Sequence, residues 1–398
     1  MSRHPALYQW TDELASHFDG LPPVFVSLLA AWSLGMILAR RCGLDSVAGH
    51  LARLRGQKAN TVRQRLREFY QEAPAKAGAK HGCRRRDFAV VDCFVPLLRW
   101  VLSLWSCPRL ALALDVTNLG DRFHVLCVSV LYGGIGIPVA WKIVRANQPE
   151  PWHPHWCALL QCLRPAMPAD WLVVVLGDRG LESPRLFQEI TALGWHPLLR
   201  VKAAGKFRPA GWVRWYRFGS LVPRVGQRFA AAGDAYQTAK QPLACTLLAC
   251  WAEGHAAPWL LLTDLEPPAA SPCWYAFRAW VEQGFKVIKG GVLHWQHTRM
   301  TKPERAERLW LAIAVTLLWL VVLGAQVEAD ERRETLGKTP PAARRQRLFT
   351  RGLAEWLAAQ LSGRPLLHGK LPPEPWPEEW HEIVTPSEQA FCSKELYP

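Results

Sequence analysis

The sequence predicts an α/β fold in which a mixed sheet is flanked by helices, interrupted by a β-rich insertion and preceded by a helical N-terminal domain. Apolar residues recur at helical spacing through roughly the first hundred residues. After Leu110, apolar runs alternate with clusters of turn residues, which is typical of strands. Half of the 398 residues are hydrophobic, so a fully disordered chain is excluded.

The N-terminal region carries a concentrated positive charge. The chain has 48 Lys and Arg against 33 Asp and Glu, a net charge of +15 that favours a polyanionic partner, either nucleic acid or an anionic membrane. Residues 53–86 contain eleven basic and two acidic residues. Such a run is either a solvated helix face or a surface that contacts phosphates, and its local concentration favours the second.

Two short helices are predicted within this basic region, at residues 45–54 and 60–72, with Gly56 between them. The second carries Arg63, Arg65 and Arg67. Two short helices joined by a tight turn resemble a helix-turn-helix, although many all-helical domains share this pattern. We therefore expect a DNA-binding domain here, with these three arginines as candidate DNA contacts.

The strand-rich region has a distinctive order. Three runs, at residues 111–117, 123–132 and 137–144, predict an antiparallel meander. A helix, a strand at 171–176, a second helix and a strand at 196–201 follow, and this order is similar to an RNase H-like domain. A β-rich insertion, a strand at 259–263 and long helices come next.

Two acids lie at strand ends in this sheet. Asp115 ends the first apolar strand, and Asp178 comes directly after another. Carboxylates there are costly unless they are paired, solvated or bound to a metal, although each Asp could also cap a turn. Together they suggest a site for Mg²⁺ or Mn²⁺, and such a site needs a third oxygen ligand.

A helix predicted at residues 271–289 offers that ligand. At about 100° per residue, Tyr275, Arg278, Glu282 and Lys289 lie within about 60° of one another on one face. The face can hold a metal and a polyanion, or it can be a solvated face with helix-spaced ion pairs. Periodicity alone leaves both interpretations open.

The spacing Y-x2-R-x3-E-x6-K in this segment, with DVTN around Asp115 and GDRG around Asp178, resembles the YREK signature of the insertion-sequence-four family of DDE transposases. The resemblance extends from about residue 110 to residue 320. It implies that Asp115, Asp178 and Glu282 are the catalytic acids and hold two Mg²⁺ or Mn²⁺ ions. It also implies cut-and-paste transposition by strand cleavage, hairpin formation and strand transfer.

The resemblance further implies a set of DNA contacts. Trp259 would stack on a flipped base, and the candidate phosphate contacts are Tyr275, Arg278, Lys289, Arg200 and Lys202. The implied partners are double-stranded DNA, at the inverted-repeat ends and at the target, and a second copy of the chain in a synaptic homodimer. A cytoplasmic, nucleoid-associated protein is expected, and no membrane partner.

Five segments are predicted: a helical, basic DNA-binding domain (1–108), the first part of the RNase H-like core (109–201), the insertion (202–258), the second part of the core (259–328) and a helical or irregular tail (329–398).

Two other functions stay open. One is a catalytically inactive or domesticated DNA-binding regulator with the same fold. The other is a membrane protein, because residues 309–327 carry no charge, but a buried core helix is favoured.

Overall fold

A computed structural model describes residues 5–79, 85–147, 150–238, 241–335, 347–364, 369–377, 388 and 391. Its helices are α1 (Pro5–His17), α2 (Pro23–Ala39), α3 (Leu44–Arg55), α4 (Ala59–Tyr70), α5 (Phe94–Ser103), α6 (His153–Leu163), α7 (Pro184–Ala192), α8 (Ala279–Lys286), α9 (Pro303–Thr335) and α10 (Leu348–Leu361). Its strands are β1 (Arg109–Leu119), β2 (Phe123–Tyr132), β3 (Ile135–Arg145), β4 (Leu172–Gly177), β5 (His196–Arg200), β6 (Lys206–Pro209), β7 (Tyr216–Arg217), β8 (Arg228–Ala235), β9 (Leu243–Cys250) and β10 (Trp259–Thr263).

The chain divides into two compact units. The first, here called the helical unit, comprises residues 1–107, 116–168 and 280–374. The second, here called the sheet unit, comprises residues 108–115, 169–279 and 375–398. Helices, parallel strands and antiparallel strands are all present, and the N-terminal region is helical, so the predicted mixed α/β class is confirmed.

Helix α9 is the centre of the helical unit. It packs against α2, α4, α10 and β3. It is the one helix in the described residues that is long and apolar enough to cross a membrane by itself, and 89% of its most apolar window is buried inside the protein. A helix that is apolar on all sides must be covered by other parts of the protein in water. The packing therefore agrees with the prediction that residues 309–327 form a buried core helix rather than a membrane helix.

The hairpin of β2 and β3 also belongs to the helical unit, and it supports α8. Gly136 of β3 lies against the backbone of Val281, and Gly284 of α8 lies against the carbonyl oxygen of Gly136. A Cβ at either glycine would overlap this backbone. The two glycines therefore allow α8, which carries Glu282, to rest directly on the strand.

In the sheet unit the strand order is β1-β4-β5-β10-β9-β8-β6-β7. The neighbours β1, β4 and β5 run parallel, while every later neighbour is antiparallel. The central strands are almost wholly buried, as expected for apolar runs covered on both faces. The strands predicted from apolar runs are thus confirmed to within two residues at their ends.

The single helix predicted at residues 271–289 is wrong. A 3₁₀ helix covers Pro272–Arg278, α8 follows, and a π-helical turn covers Val287–Gly291. At the end of the segment the Val292 N–H donates to the carbonyl of Val287, five residues back, because the flexible Gly290–Gly291 pair permits a wider turn. A constant 100° per residue therefore does not apply across the four predicted site residues.

Candidate active site

Asp115 and Asp178 lie side by side where the parallel pairing of β1 and β4 ends. In the register of β1 and β4, Leu114 is opposite Gly177, and each aspartate is the next residue along its chain. The carboxyl ends of parallel strands meet at one edge of a sheet, which is where α/β proteins commonly bind ligands. The sequence predicted each acid at the end of its strand. Asp178 does follow the end of β4, but Asp115 lies inside β1, which continues to Leu119, and the register brings the two acids to the same level.

A single guanidinium group contacts both acids. Nη2 of Arg278 is 2.9 Å from Oδ1 of Asp115 and 3.7 Å from Oδ2 of Asp178. The side chains of Arg278 and Asp115 are only 12% and 14% exposed, whereas that of Asp178 is 48% exposed. The positive charge compensates two carboxylates that would otherwise repel each other at close range.

Asp178 also fixes the loop that follows β4. Its Oδ1 accepts a hydrogen bond of 2.9 Å from the Gly180 N–H, and its side chain caps the short 3₁₀ turn Arg179–Leu181. The capping role considered from the sequence is therefore real, but it uses Oδ1. The other oxygen, Oδ2, is the one that faces Arg278.

Tyr275 and Arg278 point to the same strand end. They are one turn apart in the 3₁₀ helix, where side chains three residues apart eclipse each other. The Tyr275 hydroxyl donates to the carbonyl of Gly177 at 3.4 Å. Burial raises the pKa of Tyr275 to about 12, so the phenol stays protonated and remains a hydrogen-bond donor at neutral pH.

Trp259 adds an aromatic wall beside Tyr275. The two rings are 5.5 Å apart between centroids and inclined by 70°, and the ring of His255 meets Trp259 in a similar way at 5.1 Å. Trp259 is half-buried and lines an apolar cavity of about 420 Å³ together with Trp251. The tryptophan predicted from the sequence therefore lies next to the predicted tyrosine.

The two predicted basic residues after β5 differ in their surroundings. Arg200 is half-buried, its Nη2 donates to the carbonyl of Pro258 at 3.2 Å, and its charge lowers the pKa of Tyr275. Lys202 has an exposed side chain, and its backbone N–H donates to Oε2 of Glu182. Arg200 thus belongs to the group around Tyr275, whereas Lys202 presents its ammonium to solvent.

Glu282 and Lys289 lie in the helical unit. Glu282 is exposed on α8, and Lys289 is half-buried in the π-helical turn. No group of three or more His, Cys, Asp or Glu side chains within the described residues is arranged to hold a metal ion. The structure therefore brings together the first two acids of the predicted triad, and the role of the third stays a prediction.

The three predicted arginines of α4 do not share one environment. The Nε of Arg63 lies 2.6 Å from Oδ1 of Asp45, Arg65 is exposed, and Arg67 lies against the hydroxyl of Tyr70. The apolar face of α4 is buried, so Arg63 and Arg65 lie on its exposed side. Lys80 and Arg84 of the basic run lie outside the described residues.

Two features of the site were missed by sequence reasoning. Arg278 was assigned to phosphates, but its guanidinium lies on the two aspartates. Arg179 also lies close enough to lower the pKa of Tyr275. Arg179 directly follows Asp178 in the GDRG motif, and this position could have marked it as a site residue. The sequence spacing alone does not indicate that Arg278 contacts the two aspartates.

One family model matches part of the chain. Residues 153–319 match the family described as Transposase DDE domain, and this range contains Asp178 and all four residues of the Y-R-E-K spacing. A solved structure, the cryo-EM structure of piggyBac transposase synaptic complex with hairpin DNA, is 11% identical with a TM-score of 0.40, over 92% of this chain and 80% of that one. No curated protein matches the chain. Residues 153–319 are therefore similar to the DDE domain of transposases.

Proposed function

We propose that this protein is a DDE transposase that cuts and rejoins DNA. The observation that carries the proposal is that Asp115 of β1 and Asp178, directly after the adjacent strand β4, lie together on one guanidinium group. The match of residues 153–319 to the transposase DDE domain supports it. The excess of positive charge suits a DNA-binding protein.

Asp115, Asp178 and Glu282 are the residues that would hold two Mg²⁺ or Mn²⁺ ions. Carboxylate oxygens suit these hard cations, and Asp115 and Asp178 already share a positively charged neighbour. When bound, two such ions stabilise the attacking and leaving oxygens of a phosphodiester displacement.

The other residues around the acids orient the DNA. Tyr275 keeps its proton and donates a hydrogen bond, Arg278 and Arg200 provide positive charge for phosphates, and Trp259 offers a ring on which an unpaired base stacks. Lys289 and Lys202 contact the DNA backbone. Arg63, Arg65 and Arg67 bind DNA from the N-terminal domain.

The proposed reaction sequence is cut-and-paste transposition. A strand is nicked at the transposon end, its 3′-hydroxyl attacks the opposite strand to give a hairpin, and the reopened end attacks target DNA. The DNA partners are the inverted-repeat ends and the target, and two copies of the chain form the synaptic complex. The five sequence segments would serve as DNA-binding, catalytic, insertion and tail regions of a cytoplasmic, nucleoid-associated enzyme.

The first test is cleavage of the DNA that flanks the gene. Purified wild-type protein is incubated with that DNA and Mn²⁺ or EDTA, and the ends are mapped on a denaturing gel. Asp115→Ala, Asp178→Ala and Glu282→Ala should each slow cleavage by about a thousandfold or more, about 4 kcal/mol of barrier, while DNA binding persists. Asp121→Ala, which removes an exposed acid from the turn after β1, should cut normally.

Three outcomes contradict parts of the proposal. Full cleavage by any one of the three variants removes that residue from the catalytic set. Equal activity in Mn²⁺ and EDTA removes the metal requirement. DNA binding without cleavage by folded wild-type protein identifies a DNA-binding regulator instead.

A further inference from the structure

A carboxylate of the C-terminal segment occupies a ready-made anion site on the β-rich insertion. Oε2 of Glu388 accepts a hydrogen bond of 2.8 Å from the Val213 N–H. Its Oε1 accepts one of 3.1 Å from the Arg214 N–H and one of 2.9 Å from the Tyr216 hydroxyl. All four residues belong to the sheet unit. We call the three donors, from Val213, Arg214 and Tyr216, the anion nest.

The surroundings of the nest are strongly basic. Residues 202–235 contain seven Lys and Arg and a single acid, Asp234. Arg214 and Arg217 are exposed beside the nest, and the two-residue strand β7, which contains Tyr216 and Arg217, is an edge strand of the sheet unit. An exposed edge with convergent donors and positive charge suits a polyanion that lies along it.

The acidic partner is held by a second contact. The ring of Phe391 packs against Trp212 at 5.2 Å and against Tyr216 at 5.5 Å between centroids. The Val213 N–H is the foremost cause that lowers the pKa of Glu388, so its carboxylate is charged at neutral pH. Glu388 therefore presents an anion to the nest, and Phe391 provides an aromatic anchor beside it.

We propose that the anion nest is a DNA phosphate site and that Glu388 competes with the DNA backbone for its donors. A phosphodiester has two non-bridging oxygens that share one negative charge, so it can accept from the same N–H and O–H groups as a carboxylate. The C-terminal segment then limits DNA binding by the insertion. This inference rests on the proposed DNA-processing function.

The competition predicts tighter DNA binding when the occupant is weakened. If Glu388 fills the nest about nine-tenths of the time, removing it strengthens the apparent affinity about tenfold. Glu388→Gln and Phe391→Ala should therefore each lower the Kd for duplex DNA by about three- to tenfold. The measurement is fluorescence anisotropy with a labelled duplex carrying the gene's flanking DNA, in EDTA, on full-length protein whose thermal unfolding is recorded in parallel.

A matched set of variants separates the nest from general charge effects. Asp170→Asn removes one exposed negative charge from the same unit and should leave the Kd nearly unchanged. Tyr216→Phe, introduced together with Glu388→Gln, removes a donor from the emptied nest and should weaken DNA binding again. That reversal is not expected if Glu388 only fastens the C-terminal segment.

The possible results distinguish failure of the proposed competition from failure of the proposed function. Unchanged DNA affinity in both Glu388→Gln and Phe391→Ala overturns the inference, and so does an equal gain in Asp170→Asn. If the wild type and every variant bind no DNA and cut none, the proposed function itself fails. Cleavage by the wild type together with unchanged affinity in Glu388→Gln leaves the proposed function intact and removes only the competition.

Discussion

Arg278 combines a contact seen in the structure with a proposed role. It compensates two carboxylates, and it is proposed to provide positive charge for DNA phosphates. Its guanidinium compensates Asp115 and Asp178, and both contacts involve the same nitrogen. A cation that occupies this position competes for the same carboxylate oxygens, because a guanidinium and a hard metal ion are attracted to the same charge. Because its guanidinium compensates the charges of these two acids, Arg278 is expected to stabilise the folded protein.

Replacing Arg278 tests this role directly. Arg278→Met should lower the free energy of unfolding by about 3 kcal/mol, because it removes the positive charge of Arg278 from beside the nearly buried Asp115. Adding Asp115→Asn should restore much of that loss, since the uncompensated charge disappears with it. Urea unfolding of the two single variants, the double variant and the wild type measures the coupling. A single Arg278→Met variant as stable as the wild type contradicts the compensation.

At the level of secondary structure, a loop carboxylate links two helices of the helical unit. Glu72, two residues after α4, accepts hydrogen bonds from Arg305 near the start of α9, at 2.9 Å from Nε, and from Lys302 at 3.1 Å. The Arg305 hydrogen bond is the largest of the effects that lower the pKa of Glu72 to about 2. This ion-pair group holds the beginning of the long core helix against the N-terminal helices.

The Glu72 contacts predict a specific acid sensitivity. Its pKa is depressed in the folded state, so its stabilisation is complete above about pH 4.5, its ordinary pKa, and is lost as the pH falls toward 2. Glu72→Gln should cost about 1.5–3 kcal/mol at neutral pH and much less at pH 2, where about half of the Glu72 carboxyl groups are protonated. Denaturant unfolding from pH 2 to 7 measures this difference. Glu304→Gln, an exposed acid on α9, should show no such trend.

The secondary-structure elements also show which features could be predicted from the sequence. Apolar strands and the position of Asp178 were predictable, because a run such as WLLLT can only be buried, and a polar residue then marks its end. The same reasoning was wrong for Asp115, because β1 continues past it to Leu119. The changes of helix type on either side of α8 were not predictable from apolar periodicity. They accompany a glycine pair after α8 and the close contact between Gly136 and Gly284. The Arg278 and Glu388 contacts were also not predictable, since they join residues a hundred or more positions apart.

At the scale of the whole molecule, glycines permit the tightest helix contact. Gly324 of α9 and Gly352 of α10 face each other so closely that a Cβ on either would overlap the other helix's backbone. Gly352→Ala should therefore destabilise the protein by about 1–3 kcal/mol. Gly49→Ala in α3, where a Cβ meets nothing within 4 Å, should instead stabilise it by about 0.5–1 kcal/mol. Thermal unfolding compares the two, and a stabilising Gly352→Ala contradicts the packing argument.

The burial of α9 also has a consequence for synthesis. As the ribosome makes the chain, α2 emerges long before α9, whereas α10 follows it. A nascent chain that stops between α9 and α10 therefore carries a long apolar helix with part of its cover missing. Insertion machinery in the cell selects nascent segments by apolar length, and α9 meets that length. The cover of α9 is therefore complete only after α10 has been made.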